Sequence, residues 1–207
     1  MDHQHVIEKV PVDYYQYGIE NNLLQKNWHV RKLEKVKEFI TKSPKNVLDV
    51  GCASGWFIAK IKEGFPNANF YGIDIYKDSI EYARKLYPDI KFERADAHFL
   101  PYKDSFFDLL ICTEVIEHLD DPGQAMSEIK RVLKKRGRLI IEVDSGSTLF
   151  SLVWFFWTKF RGRVWNEAHL HSFNVAKLEN LARKNGFKVL NKKKFNLGMA
   201  MIFLLEK

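Results

Sequence analysis

From Asn21 to Lys42 the apolar residues Leu24, Trp28, Leu33, Val36, Phe39 and Ile40 recur at near-helical spacing, and Ser43-Pro44 ends the pattern. The period then changes. Short apolar or β-branched runs follow at 46–50 (NVLDV), 70–75 (FYGIDI), 90–96 (IKFERAD), 106–113 (FFDLLICT) and 138–143 (RLIIEV), each about as long as a buried strand. Helical spacing returns between them at 54–64, 78–87 and 121–134. Strand and helix alternating in this way predict right-handed crossovers and a parallel sheet with helices on both faces.

The rhythm changes again near the end. A helical pattern over 174–185 closes on Asn185-Gly186, a residue pair suited to a helix C-terminus. The runs FKVLNKKKF (187–195) and MAMIFLLE (199–206) are separated only by Asn196-Leu197-Gly198. A link that short cannot make a parallel crossover, so the last two strands form an antiparallel hairpin. The expected fold class is α/β, a doubly wound and mostly parallel seven-stranded sheet. The chain divides as a single domain, 1–207, with a helical N-terminal cap (1–43), a core (44–145), an insertion (146–172) and a C-terminal helix and hairpin (173–207).

Composition narrows the class. With 46% hydrophobic residues and no low-complexity tract, the chain can bury a core and is not a disordered segment. The net charge of +7 would suit an anionic partner. However, Lys and Arg are spread along the chain, with short clusters only at 134–136 and 192–194, which reads as a solvated surface rather than a nucleic-acid footprint. Cys52 and Cys112 have neither disulfide nor metal spacing, and no signal peptide opens the sequence; the expectation is a reducing cytoplasm. The longest apolar run, LFSLVWFFW at 149–157, is far shorter than the ~20 residues of a membrane span.

Candidate chemistry gathers at strand ends. Gly51 and Gly55 lie on the turn from the first strand into the first helix, where glycine lets backbone approach a ligand. Ala53 and Ile58 break the dinucleotide pattern G-x-G-x-x-G, and Asp49 disfavours a diphosphate while suiting a ligand with a positive amino group. Asp74 ends the second strand, where a carboxylate can accept both hydroxyls of a ribose, and Asp96 ends the third, within reach of an exocyclic amine. Each acid alone is more often a helix cap or a surface charge. Three on successive strand ends are harder to explain that way.

On these residues the chain resembles the class I S-adenosylmethionine-dependent methyltransferases, in their small-molecule branch that includes ubiquinone- and menaquinone-biosynthesis enzymes. The resemblance rests on VLDVGCASG, GIDI, ADAHFLPYKDSFFDLLICTEVIEHLDDP and EIKRVLKKRGRLIIEV, and resumes at HLHSFNVAKLENLARKNGFKVL. It implies S-adenosylmethionine as cofactor. Gly51 and Gly55, with Asp49 and Cys52, would hold its methionine end, Asp74 and Ile75 its ribose, and Asp96 and Ala97 its adenine. Thr113 and Glu114 would neighbour the reacting methyl. Trp56 and the cluster Tyr14, Tyr15 and Tyr17 are candidates to shield the sulfonium, since an aromatic face attracts a cation only modestly. His169 and His171 are the candidate general bases, of which only one is expected to face the site.

Three features leave alternatives open. Glu114, Glu117 and His118 stand as E-x-x-E-H, which on one helical turn would converge on a divalent cation, with His169 or His171 as fourth ligand. The same run is common in relatives without metal, and the sequence reading assigns none. The insertion at 149–163 reads as a lid over an apolar acceptor, as a peripheral membrane contact, or as a helix buried in the core or a dimer interface. The function expected is methyl transfer to an oxygen or carbon nucleophile of a small, apolar acceptor. The alternatives are an RNA 2′-O-methyltransferase with a Glu/Glu/His metal site and a non-catalytic S-adenosylmethionine-binding regulator; homodimerisation is compatible with either.

Overall fold

In the computed structural model, residues 10–160 and 169–207 are described. Strands β1 (Asn46–Val50), β2 (Asn69–Asp74), β3 (Lys91–Arg94), β4 (Phe107–Thr113), β5 (Leu133–Asp144), β6 (Lys188–Phe195) and β7 (Ala200–Glu206) form one sheet in the order β3-β2-β1-β4-β5-β7-β6. β1 pairs in parallel with both β2 and β4, and β7 runs antiparallel between β5 and β6. The order reverses direction between β1 and β4, and beyond the carboxyl ends of those two strands a crevice opens.

Helices α1 (Tyr14–Asn21), α2 (Leu23–Phe39), α3 (Trp56–Lys62), α4 (Lys77–Leu86), α5 (Pro122–Val132), α6 (Thr148–Phe160) and α7 (Val175–Lys184) complete the described chain. One core packs α5 and α7 on the sheet through Ala125, Met126, Ile129, Leu178 and Ala182. The opposite core seats α2, α3 and α4 through Val36, Phe39, Ile58, Ile61, Ile80 and Ala83. Both faces are therefore covered, which is why the central strands read as unbroken apolar runs instead of alternating ones.

Two expectations need correcting. Residues 133–137, read as helix end and loop, belong to β5: Leu133 pairs with Phe107 across a register shift, and Arg136 takes φ 62° within the bulged stretch. The tyrosine-rich segment, placed in the helical cap without a helix of its own, forms α1. Asn22 separates it from α2 by turning extended (φ −139°, ψ 111°), and its side chain caps the Leu24 and Gln25 N–H groups. Residues 1–9 and the insertion's Arg161 and Arg163 lie outside the described residues.

Candidate active site

The glycine turn is built by Asp74. Gly51 and Cys52 donate their backbone N–H groups to the Ile73 carbonyl, and Ala53 N–H donates to Asp74 Oδ2 at 2.9 Å. Asp74 Oδ1 accepts from Tyr76 N–H at 2.9 Å, so one carboxylate holds the loops after both β1 and β2. Each oxygen keeps a lone pair for a ligand. Gly51 needs to be glycine: it sits at φ +74°, and a Cβ there would come within 2.3 Å of Val115 Cγ2.

Two cavities meet at Tyr15, Gly51, Ala53 and Glu114. The larger, about 190 Å³, runs past Asp74, Ile75, Asp96 and Ala97 towards His118. Two carboxylates with Ile75 and Ala97 between them make a slot suited to a flat base flanked by a sugar. Asp96 Oδ1 accepts from His98 N–H and meets His98 Nδ1 at 2.6 Å, while Asp121 N–H points at His98 Nε2. Nδ1 therefore carries the proton given to Asp96. His98 went unnoticed in the sequence because it lies just outside the strand.

The smaller cavity, about 60 Å³, is lined by Asp49, Cys52, Trp56 and Thr113 from the sheet side and by Tyr15, His29 and Lys32 from the cap. Of the three tyrosines, Tyr15 borders both cavities, standing edge-on to His29 at 5.4 Å, while Tyr17 is exposed. Gly55 borders neither. It is the left-handed residue that starts α3, and a Cβ there would meet Phe92 at 2.6 Å, so its work is steric and lies behind the loop.

The E-x-x-E-H run does not fold as one helical turn. Glu114 takes φ 54°, and only Ile116–His118 are helical, as a single 3₁₀ turn, so the i, i+3, i+4 convergence fails. Glu114 instead faces the cap: Trp28 Nε1 and Lys32 Nζ each donate to its carboxylate at 2.8 Å. Burial alone would raise Glu114, but Lys32 outweighs it and holds the carboxyl down at about 2; burial likewise works against Lys32's charge, and Glu114 keeps its pKa high. His29 beside them is lowered to about 4 by burial and by Lys32.

Behind this pair lie three carboxyls that no lysine or arginine among the described residues pairs with. Among the described residues, Glu117, Glu142 and Asp144 have five oxygens without a hydrogen-bond partner, all sealed from solvent. Burial drives Glu117 up to about 8 and Glu142 and Asp144 well above the carboxylate range, and Glu114 adds to each. Lys32 therefore sustains one carboxylate, while burial disfavours charge on the other three. Burial also lifts Asp49 to about 8. Glu142 was the missed signal: a charge inside the apolar strand RLIIEV.

His169 and His171 diverge because their segment is not a strand, and residues two apart share a face only when the chain is extended. His171 Nε2 donates to the Leu119 carbonyl at 2.9 Å, turning its ring away. His169 stacks on Trp154 at 4.7 Å, lies 4.8 Å from the His118 ring and places Nε2 3.7 Å from Asp144 Oδ2. Burial and His118 lower it to about 4. The ligand atoms of Glu117, His118 and His169 fall within 4.8 Å of one another, so these three, not Glu114 or His171, are the described residues that could gather around a cation.

Residues 48–141 match the family model of a methyltransferase domain. With the seven-stranded order, the reversed β7 and the acid-lined crevice, that match decides what the core is. Residues 48–141 are an S-adenosylmethionine-dependent methyltransferase domain. Relatives include the malonyl-[acyl-carrier protein] O-methyltransferase of Hahella chejuensis, 34% identical over 53% of this chain and 40% of the relative. The demethylmenaquinone methyltransferase of Thermotoga maritima is 30% identical over 61% of this chain and 56% of the relative. The methyltransferase core thus matches about half the length of these curated relatives. A crystal structure of an S-adenosylmethionine-dependent methyltransferase from Thermotoga maritima shares the fold, with TM-score 0.77 at 23% identity over 98% of this chain and 99% of that one. The family's cofactor is S-adenosylmethionine, and the slot between Asp74 and Asp96 suits its nucleoside.

Proposed function

We propose that this methyltransferase moves the methyl group of S-adenosylmethionine to an oxygen or carbon nucleophile of a small, apolar acceptor. Bound S-adenosylmethionine supplies an electrophilic methyl on a sulfonium. Asp74 would accept from the ribose hydroxyls and Asp96 from the adenine amine, with Ile75 and Ala97 against the nucleoside. The methionine end would reach past Gly51 towards Cys52, Asp49 and Lys32, beside Thr113. The observation that carries this reading is the convergence of the β1, β2 and β3 carboxyl ends on one crevice.

The sulfonium loses its charge as the methyl leaves, so fixed anions around it would favour the ground state over the transition state. Two features meet that requirement. Glu114 is neutralised by Lys32, and burial disfavours charge on Glu117, Glu142 and Asp144. Tyr15 and Trp56 supply aromatic walls nearby.

His169 is favoured over His171 as the group that takes the acceptor's proton, because its ring turns towards His118 and Trp154 and not onto a backbone carbonyl. With a pKa near 4 it is neutral at physiological pH but a weak base. It therefore suits an acceptor whose own proton is acidic, such as a phenol or an enolisable carbonyl. The name of one relative, which specifies demethylmenaquinone, supports an acceptor of this kind.

The test is methyl-labelled S-adenosylmethionine incubated with a cell lysate, with and without chelator, and label followed into lipid, small-molecule, protein and nucleic-acid fractions. Label in the lipid or small-molecule fraction is the expected result, and label confined to RNA would overturn it. In parallel, His169→Ala should lower turnover at least tenfold while cofactor affinity by calorimetry stays within about twofold, and His171→Ala should retain most turnover. The reverse ranking would reassign the base.

A further inference from the structure

Helix α6 uses only one of its faces. On the inner side Phe150 stacks on Trp154 at 5.6 Å, and Trp154 stacks on His169, so this face forms a wall of the site. On the outer side Leu149, Leu152, Val153, Phe156 and Phe160 recur at i, i+3, i+4, i+7 and i+11, which is one continuous helical stripe. All five are exposed, from 42% for Leu149 to 69% for Phe160, and Phe155 stands exposed on the flank. A solvent-facing helix in a folded domain ordinarily turns polar residues outward; this one turns large apolar ones.

A second apolar element stands at the same end of the sheet. The β6–β7 turn is tied to the chain leading into α6, with Ser145 N–H donating to the Met199 carbonyl and Ser145 Oγ to that of Gly198. At its tip Leu197 takes a left-handed conformation (φ 58°) and is 83% exposed. Leucine is neither the residue such a turn favours nor one that gains from water there.

The charges nearby identify the surface these features would meet. Lys159 lies on the flank of the stripe, with its ammonium 5.8 Å and 6.0 Å from the Phe155 and Phe160 rings, placing its stem along apolar surface and its charge at the edge. Lys192, Lys193 and Lys194 are exposed on edge strand β6, leading directly into the Leu197 turn, with Lys192 paired to Glu179 and Lys193 3.7 Å from Glu38. A second copy of this chain would bring the same lysines, on a protein of net charge +7, against one another. An anionic lipid headgroup layer complements them, and the layer beneath it complements the stripe.

We propose that α6 lies in the plane of an anionic lipid surface, its outer stripe in the headgroup–acyl boundary and Leu197 entering beside it. The proposal stands on exposure and charge and does not depend on the transferase reading. If that reading also holds, the inner wall of Phe150 and Trp154 would open the acceptor site towards the source of apolar acceptors.

The test uses the full chain, sedimented with vesicles of phosphatidylcholine alone and of phosphatidylcholine mixed with phosphatidylglycerol, at low and at physiological salt. At least tenfold stronger partition onto the anionic vesicles, weakening with salt, is the expected result. Leu152→Ser combined with Phe156→Ser should lower that partition at least tenfold. Lys193→Glu combined with Lys194→Glu should remove its salt-sensitive part. Circular dichroism and cofactor affinity are controls that the variants remain folded, and neither control should move. Absence of partition, or equal partition onto neutral and anionic vesicles, would overturn the proposal. So would a dimer in light scattering that the serine variant dissolves.

Discussion

At the scale of single residues, the site depends on conformations that a side chain's chemistry alone does not announce. Gly51 is the clearest case, since its backbone sits at φ +74° with Val115 directly over the missing Cβ. Gly51→Ala carries left-handed strain of about 1–2 kcal/mol and forces Val115 into the crevice it borders. Its S-adenosylmethionine affinity should fall at least tenfold in calorimetry. Adding Val115→Ala should restore part of that loss, because it removes the clashing methyls; no recovery would place the effect elsewhere. The placement of Asp74, Asp96 and the glycine turn beyond strand ends was legible from spacing. The division of labour between Gly51 and Gly55, or between His169 and His171, was not. Those depend on which way a ring or a Cβ points, and residue spacing does not carry that information.

At the scale of elements, the cap is fastened to the core by a buried ion pair. Trp28 and Lys32, one helical turn apart on α2, both reach Glu114 at the end of β4. Lys32→Met strands the Glu114 carboxylate and should destabilise the protein by about 3–5 kcal/mol in denaturant unfolding. The double variant Lys32→Met with Glu114→Gln should recover most of this, since the cost comes from the unpaired charge. Equal destabilisation of the two would mean that packing, not charge, holds α2. The parallel strands and the closing hairpin were readable because their period and link lengths permit few topologies. The pairing of α2 with β4 was not, because it joins residues 82 positions apart. E-x-x-E-H misled for a related reason. It reads as one helical face, yet the left-handed Glu114 turns its first carboxylate away from the others.

At the scale of the whole molecule, the buried carboxyls should leave a signature in stability against pH. Glu117 rises from its ordinary 4.5 to about 8 in the folded protein, so between those values the native state binds more protons than the unfolded chain. Its contribution is therefore full below about pH 4.5 and is lost as pH rises towards 8. His169 works in the opposite sense: lowered to about 4, it makes the native state bind fewer protons up to the ordinary 6.5, and stability gains from raising pH across that window. Glu117→Gln should thus match wild type near pH 4.5 and exceed it at pH 8, by roughly 2–4 kcal/mol. Unfolding midpoints at the two pH values decide this; a variant less stable at pH 8 would mean that Glu117 is ionised and paired.

The same clustering separates what this fold does from a simple anionic pocket. One lysine neutralises one carboxylate and burial disfavours charge on three more, so under the proposed function a cationic cofactor beside them would not be held in its ground state. The central claim, that the crevice beyond β1 and β2 is an S-adenosylmethionine site organised by Asp74, is tested most directly by isothermal calorimetry of the full chain. Wild type is expected to bind S-adenosylmethionine with one-to-one stoichiometry, and Asp74→Ala to lose at least a hundredfold in affinity while remaining folded. Unchanged affinity in that variant, or no binding to wild type, would contradict the account.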